Sequence, residues 1–217
     1  STNTIRPTEM VYPNGRTVTY DYGTASGLND QLSRVASFID DDTTSLAAFA
    51  YLGLGSLVEQ TSPEADLQYT LVNPAGTNDP VTGDIYSGLD RFGRVQDVRW
   101  RDVSAGTDLS RVEYGYDRAS NRTWRANPSD PAHHYDWLYG HDGLHRLQSA
   151  QLGTLNGTHT SLSACVFANC WTLDPTGNWQ GFRQDDTGDG TWDLVQSRTA
   201  NPINEITSLT TQPGEQW

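Results

Sequence analysis

Between residues 112 and 124 the chain reads VEYGYDRASNRTW. Apolar and polar positions alternate through Val112-Glu113-Tyr114-Gly115-Tyr116, a polar run follows, and the stretch ends on an arginine-flanked tryptophan, Trp124. A period of two sends successive side chains to opposite faces, so the segment predicts a strand, a turn and a second strand. The same plan recurs in GLDRFGRVQDVRW (88–100), YGHDGLHRLQSA (139–150) and WTLDPTGNWQGF (171–182), and its opening half in VTYDYG (18–23), which reaches LSRVASFI (32–39) after a longer turn. Asp21, Asp90, Asp117, Asp142 and Asp174 hold the same place in these copies, and AYLGLGSLVEQ (50–60) and ANPINEITSL (200–209) are weaker ones. A recurring unit of this kind implies a repeat architecture.

Each unit predicts a β-hairpin. The Asp accepts hydrogen bonds from backbone N–H groups about two residues on and so starts the turn. Gly93, Asn121, Gly143 and Gly177 tolerate positive φ. One hairpin alone is marginal in water, so successive hairpins must pair edge to edge. The expectation is one all-β domain over 1–217, with units near 12–39, 50–72, 86–103, 112–126, 137–153, 171–184 and 192–209. Only DTTSLAAFAYLGLG (42–55) reads as a candidate helix, and its glycines weaken it.

Composition agrees with short strands and tight turns: 7 Trp, 10 Tyr, 20 Gly and 10 Pro at 35% hydrophobic residues. The net charge of −13 argues against a nucleic-acid partner, which requires clustered cations. No stretch approaches the roughly 20 apolar residues of a membrane-crossing helix. STNTIRPTEM at the start has neither the basic region nor the apolar core of a signal peptide; removal of a leader, or a place within something larger, is expected. The two cysteines, Cys165 and Cys170, leave a disulfide and a pair of buried thiols both open, and exclude a paired Cys-x-x-Cys metal site.

The units resemble YD repeats, the tandem repeats of RHS (rearrangement hotspot) proteins. Tyr114, Tyr116, Asp117, Asn121, Arg122 and Thr123 match a Tyr-x-Tyr-Asp…Gly-Asn-Arg-Thr pattern, with Ser120 in the Gly place. LDRFGRV supplies Asp90, Gly93, Arg94 and Val95; HDGLHRL supplies Asp142, Arg146 and Leu147; LDPTGNW supplies Asp174, Gly177 and Asn178. The resemblance implies a long curved antiparallel sheet of tandem hairpins, a strip of an RHS-type shell. In polymorphic toxins and insecticidal toxin complexes that shell encloses a C-terminal toxin, and in teneurins a related barrel is adhesive. Asp174-Pro175-Thr176-Gly177 matches the family's self-cleavage signature in letters, but it sits inside a repeat and reads as a turn. The function implied is a non-catalytic structural or binding segment of a secreted or cell-surface protein. Its partners would be a glycan or the rest of a larger RHS polypeptide, with self-association through the open ends of the sheet.

Candidate chemistry is sparse. DDTGDGTWD (185–193) places Asp185, Thr187, Asp189 and Asp193 at positions 1, 3, 5 and 9 of a Ca2+-type loop, with Gly190 at the bend and Gln196 where a bidentate Glu belongs. An acidic β-turn is the alternative. His133, His134, His141 and His145, with Asp136 and Asp142 nearby, carry the types needed for Zn2+ binding or hydrolysis. Exposed loop histidines are the alternative there. No nucleophile elbow surrounds Ser56 in GLGSL, and Cys165 has no catalytic context. Trp100, Trp124, Trp137 and Trp179, with Trp171 and Trp192, recur on or near strands. They are candidates for stacking on sugar rings, or for filling the covered face of the sheet.

Overall fold

The described strands pair with their neighbours in the chain, which is what hairpins in tandem require. A computed structural model describes residues 5–72, 85–130, 132 and 136–212. Its strands are β1 (Glu9–Val11), β2 (Thr17–Asp21), β3 (Ser37–Ile39), β4 (Ser45–Leu52), β5 (Ser56–Ser62), β6 (Leu67–Thr70), β7 (Asp97–Asp102) and β8 (Thr107–Tyr116). They continue as β9 (Arg122–Ala126), β10 (Asp136–His141), β11 (Leu147–Leu155), β12 (Leu162–Leu173), β13 (Trp179–Asp185), β14 (Leu194–Ala200) and β15 (Ile206–Gln212). They form one 15-stranded sheet in strict sequence order. The all-β class and the hairpin plan are as expected.

The candidate helix at 42–55 is instead β4, bounded by positive φ at Thr43 (73°) and Gly53 (61°). Alanine is a strong helix former, but propensity yields to tertiary pairing, and here partners lie on both sides: Ala48 pairs with Ser37 and with Thr61. Among the described residues, helix is confined to α1 (Leu28–Gln31) and one 3-10 turn at Pro63–Ala65.

By contacts the chain divides into Ser1–Arg111 and Val112–Trp217. In the first unit, Tyr20 faces Phe38 across β2 and β3, and Phe38 meets Phe49 from β4, with edge-on rings at 5.0 and 5.5 Å. Val18, Tyr22, Val58 and Leu71 are its buried apolar residues. Asp97 is buried too, and it sits between Arg99 (2.8 Å) and Arg111 (2.9 Å). Burial pulls its carboxyl up, but the two guanidiniums outweigh that and hold it below the ordinary range.

In the second unit one face is aromatic. Trp137, Leu152 and Phe167 lie in one cross-strand row, and Trp171 lies opposite Phe182. Among the described residues of this unit the buried apolar ones are small residues beside large ones, Ala126, Ala150 and Ala168, together with Trp192. Gly115 explains Trp124 on the opposite strand: a Cβ there would lie 1.9 Å from the indole Nε1, so the missing side chain is what lets the ring lie flat.

Gly115→Ala should therefore displace Trp124 and cost about 1–3 kcal/mol in urea unfolding. Gly93→Ala meets open space and bears only the strain of its φ of 75°, about 1 kcal/mol. Equal losses would show that the indole does not depend on the glycine.

Candidate functional site

The recurring aspartates build one turn again and again. Asp90, Asp117, Asp142 and Asp174 each accept, on Oδ1, the N–H of the second and the fourth residue onward at 2.8–3.0 Å. Oδ2 accepts from the side chain of that fourth residue: Arg94 Nε at 2.6 Å, Asn121 Nδ2 at 2.7 Å, Arg146 Nε at 2.7 Å and Asn178 Nδ2 at 2.9 Å. The main chain closes each bend twice, as in Asp117 N–H to Asn121 O and Ser120 N–H to Asp117 O. The third residue onward is left-handed in every copy, with φ of 75° at Gly93, 70° at Ser120, 64° at His145 and 96° at Gly177. This is the three-residue hairpin loop in which a type I bend ends in a left-handed bulge.

Three further copies keep the main-chain bonds with other side chains, at Tyr12–Arg16, Asp40–Thr44 and Asn201–Glu205. Asn201 accepts from the N–H of Ile203 and Glu205 and reverses the side-chain bond, donating through Nδ2 to Glu205 Oε2 at 2.8 Å. Asp40 turns its carboxylate to Arg16, which donates from Nε at 2.8 Å and holds that acid at about 2. Asp21 departs from the plan: it takes the Gly23 N–H and the Ser37 hydroxyl and closes no such bend.

Neighbouring turns are stitched together in the second unit. Asn121 Nδ2 lies 3.0 Å from His145 Nδ1, Arg146 Nη1 donates to Asp174 O at 2.6 Å, and Asn178 Nδ2 donates to Asn204 Oδ1 at 2.9 Å. The bonds stabilise the ionised carboxylates. The Asn178 amide, then the Thr176 hydroxyl and backbone donors, bring Asp174 down to about 2 against the pull of desolvation. Asp117 is lowered chiefly by the Asn121 side chain and Asp142 chiefly by the Arg146 N–H.

The Asp-rich segment links β13 to β14, and its acids face its own backbone. Asp185 is fully buried (0%). Its Oδ1 accepts from Gly188 N at 2.6 Å and Thr187 N at 3.1 Å, and its Oδ2 from Gly190 N at 3.0 Å. Asp193 takes the Asp186 N–H and Asp189 the Thr191 N–H, while Gln196 lies on β14 opposite Phe182. Among the described residues no three His, Cys, Asp or Glu side chains are grouped to hold a metal ion.

The candidate histidines are described only in part. His133 and His134 lie outside the described residues. His141 ends β10, His145 is the left-handed residue of its turn, and Asp142 is spent on that turn. Cys165 and Cys170 are free thiols on one strand, β12, opposite Gly153 and Ser149. Five residues of strand span about 16 Å, far beyond the ~7 Å reach of a disulfide. Burial pushes the Cys165 thiol up.

The tryptophans divide between faces. Trp124 pairs with Leu138 and Trp137 with Arg125, so these two indoles project to opposite sides of the sheet. Trp124 packs on His159 at 4.0 Å, and Trp137 stacks with Tyr139 at 6.1 Å. Trp100, 41% exposed, leans on Tyr69 in the first unit. Trp179, 43% exposed, joins Trp171 at 6.0 Å and Phe182 at 5.7 Å, with the Arg198 guanidinium 5.0 Å from its ring. Phe167 and Phe182 complete this aromatic face; their alternation was readable in the sequence, but their cross-strand partners were not.

No family model and no curated protein matches the chain. Solved structures do. Its fold is similar to a crystal structure of TcdB2-TccC3-TEV, with a TM-score of 0.54 at 14% identity, over 89% of this chain and 9% of that one. The Photorhabdus luminescens Tc holotoxin pore with a mutated TccC3 gives 0.52 at 12% identity, over 93% and 11%. TcdB2-TccC3 without its hypervariable C-terminal region gives 0.54 at 14%, over 91% and 9%. The class defined is an all-β sheet of successive hairpins, of the kind present in these Tc toxin chains. The chain spans about a tenth of the length of the structures it matches.

Asp174 gives a pH prediction. Its folded pKa of about 2 lies below the unfolded value of about 3.9, so its contribution is present above pH ~4 and is lost as pH falls toward 2. Asp174→Asn should keep the turn, as Asn201 does, and flatten that acid limb of the stability curve. Asp174→Ala should lower Tm at pH 7 by about 2–4 °C. An unchanged acid limb in Asp174→Asn would remove the carboxylate from the account. Asp185→Ala strands buried N–H groups and should cost about 3 kcal/mol. Thermal unfolding with Ca2+ or with EDTA should coincide, and a rise of several degrees with Ca2+ would assign the loop to the ion.

Proposed function

We propose that the chain is a non-catalytic scaffold segment of an RHS-type, YD-repeat protein, exported or displayed at the cell surface. The observation that carries this reading is the use of the recurring acid: Asp90, Asp117, Asp142 and Asp174 each spend both carboxylate oxygens within their own bend. A carboxylate serving as acid, base or metal ligand needs oxygens free for the substrate or ion. The likeness in fold to the TcdB2-TccC3 chains supports the same reading. In it, the natural neighbour of the sheet is more of the same polypeptide.

Glycan binding is a second reading, favoured by one cluster. Trp171, Trp179 and Phe182 share a face, Trp179 is 43% exposed, and the Trp171 Nε1–H is buried with no hydrogen-bond partner. An exposed aromatic surface suits the apolar face of a sugar ring.

A scaffold of equivalent bends tolerates exchange of one for another. Replacing Asp174-Pro175-Thr176-Gly177-Asn178 by the residues of 90–94 should leave the far-UV spectrum unchanged and Tm within about 3 °C. A collapse of the fold would sink the equivalence. Titration with polysaccharides should leave tryptophan emission constant; saturable quenching that disappears in Trp179→Ala would establish the glycan reading instead.

A further inference from the structure

Side chains along β13 alternate between faces, and Phe182 holds the aromatic one, so Gly181 and Arg183 lie on the other. The row through Gly181 joins Thr172 on β12 to Ser197 on β14, and the row through Arg183 joins Cys170 to Val195. A glycine inside a strand forgoes packing and often marks a place where another group comes close. For three other strand glycines of this unit that group is part of the chain: the Trp124 indole at Gly115, Ser149 Oγ at Gly140 and the Ala164 carbonyl at Gly153. At Gly181 a Cβ would meet only Thr172, at 3.3 Å, and the Gln196 carbonyl oxygen, at 3.8 Å. The bulge in this pair leaves Gln180 unpaired, and Gly181 does not take the left-handed φ that a glycine bulge uses. Neither the backbone nor a neighbour requires the glycine. It leaves a depression of about 220 Å3 lined by Thr172, Gln180, Arg183, Val195, Gln196 and Ser197.

The lining is rich in donors. All 14 Lys and Arg positions of the chain are arginine, and most are spent inside the fold, as Arg99 and Arg111 are on Asp97 and Arg146 is on Asp142. Among the described residues two arginine side chains, Arg118 and Arg183, have no hydrogen bond, ion pair or ring contact. Arg118 stands at the tip of a bend; Arg183 stands in the middle of a strand, beside the depression. The Thr172 and Ser197 hydroxyls are likewise unpartnered among the described residues. Among those residues no acid lines the depression. Asp185, two residues along the same strand, is fully buried and turns its oxygens to the Thr187, Gly188 and Gly190 N–H groups. Acids farther away are screened beyond about 8–10 Å.

We propose that the depression over Gly181 binds a tetrahedral oxyanion, a phosphate or sulfate group, with Arg183 donating to two of its oxygens and the Thr172 and Ser197 hydroxyls to the others. A guanidinium fork matches two such oxygens. A carboxylate would be satisfied by the fork alone, whereas donors on three strands call for more than two oxygens. Thr172 and Ser197 flank Gly181 two strand spacings apart, about 10 Å at the backbone, a gap that an oxyanion with hydrogen bonds of about 2.8 Å on either side spans. The site lies on the face opposite Trp171 and Phe182, so it rests on neither the scaffold reading nor the glycan one.

The 217-residue chain can be titrated with sodium phosphate or sulfate in two-dimensional NMR, with chloride holding the ionic strength constant. The Gly181 amide and Arg183 Nε–H signals should shift saturably, with a Kd on the order of 1–10 mM. R183Q should weaken binding at least about tenfold through loss of charge-assisted hydrogen bonds. G181V fills the depression with a side chain suited to a strand and should abolish binding. R118Q removes the other unpartnered arginine and should leave Kd unchanged. R183Q and R118Q change exposed side chains, so their comparison stands even where G181V disturbs the sheet. Glycerol phosphate bound as tightly as the inorganic ion would assign the site to a terminal phosphate group, and a clear preference for the inorganic ion would assign it to the free anion; either result supports the oxyanion site. Shifts that fail to saturate below about 50 mM, an equal loss in R118Q and R183Q, or full binding by a folded G181V would each overturn it.

Discussion

One hydrogen-bonding arrangement governs the fold: a carboxylate oxygen that accepts two backbone N–H groups, two and four residues ahead. It holds the bend at a fixed length, with its left-handed residue at a fixed place, as Asp117 and Ser120 do. Bend length sets the register of the arms, and register sets the face that every side chain takes. A slip of one residue between β10 and β11 would carry Trp137 away from Leu152 and Phe167 to the opposite side. The aromatic face therefore depends on the edge. Ser120 and His145 adopt left-handed φ in places where Gly93 and Gly177 do so freely, so the bonds around them must hold a conformation that costs them energy.

Cross-strand pairs and bends carry the specificity of such a sheet. The stitches between turns add to it: Arg146 reaches Asp174 O, and Asn178 reaches Asn204. This also changes the meaning of the acidic composition. Asp90, Asp117, Asp142 and Asp174 are negative because an ionised oxygen is a stronger acceptor for N–H than a neutral one. Their charge belongs to the bends.

The bends were legible in the sequence because each is local: Asp117 to Asn121 contains all the atoms of its own bonds. Asn201 was legible only as a weak copy, since its amide supplies the same acceptor without the Asp that marks the series. What required a partner strand was not legible. Residues 45–52 look helical until β3 and β5 are there to pair with them. Trp124 and Trp137 look alike until their partners, Leu138 and Arg125, assign them to opposite faces.

A catalytic or metal site gathers groups from separate elements into a few ångströms. Bends on one edge of a meander do the reverse. Successive hairpins place equivalent residues two strands apart, about 10 Å, and Asp142 and Asp174 stand in that relation, on the turns that join β10 to β11 and β12 to β13. Moving two such acids into contact would require removing a hairpin between them. The regularity that makes the sheet extendable thus keeps its most frequent reactive side chain dispersed. Register, by contrast, collects side chains from separate strands on a face, as it does Trp171, Phe182 and Trp179.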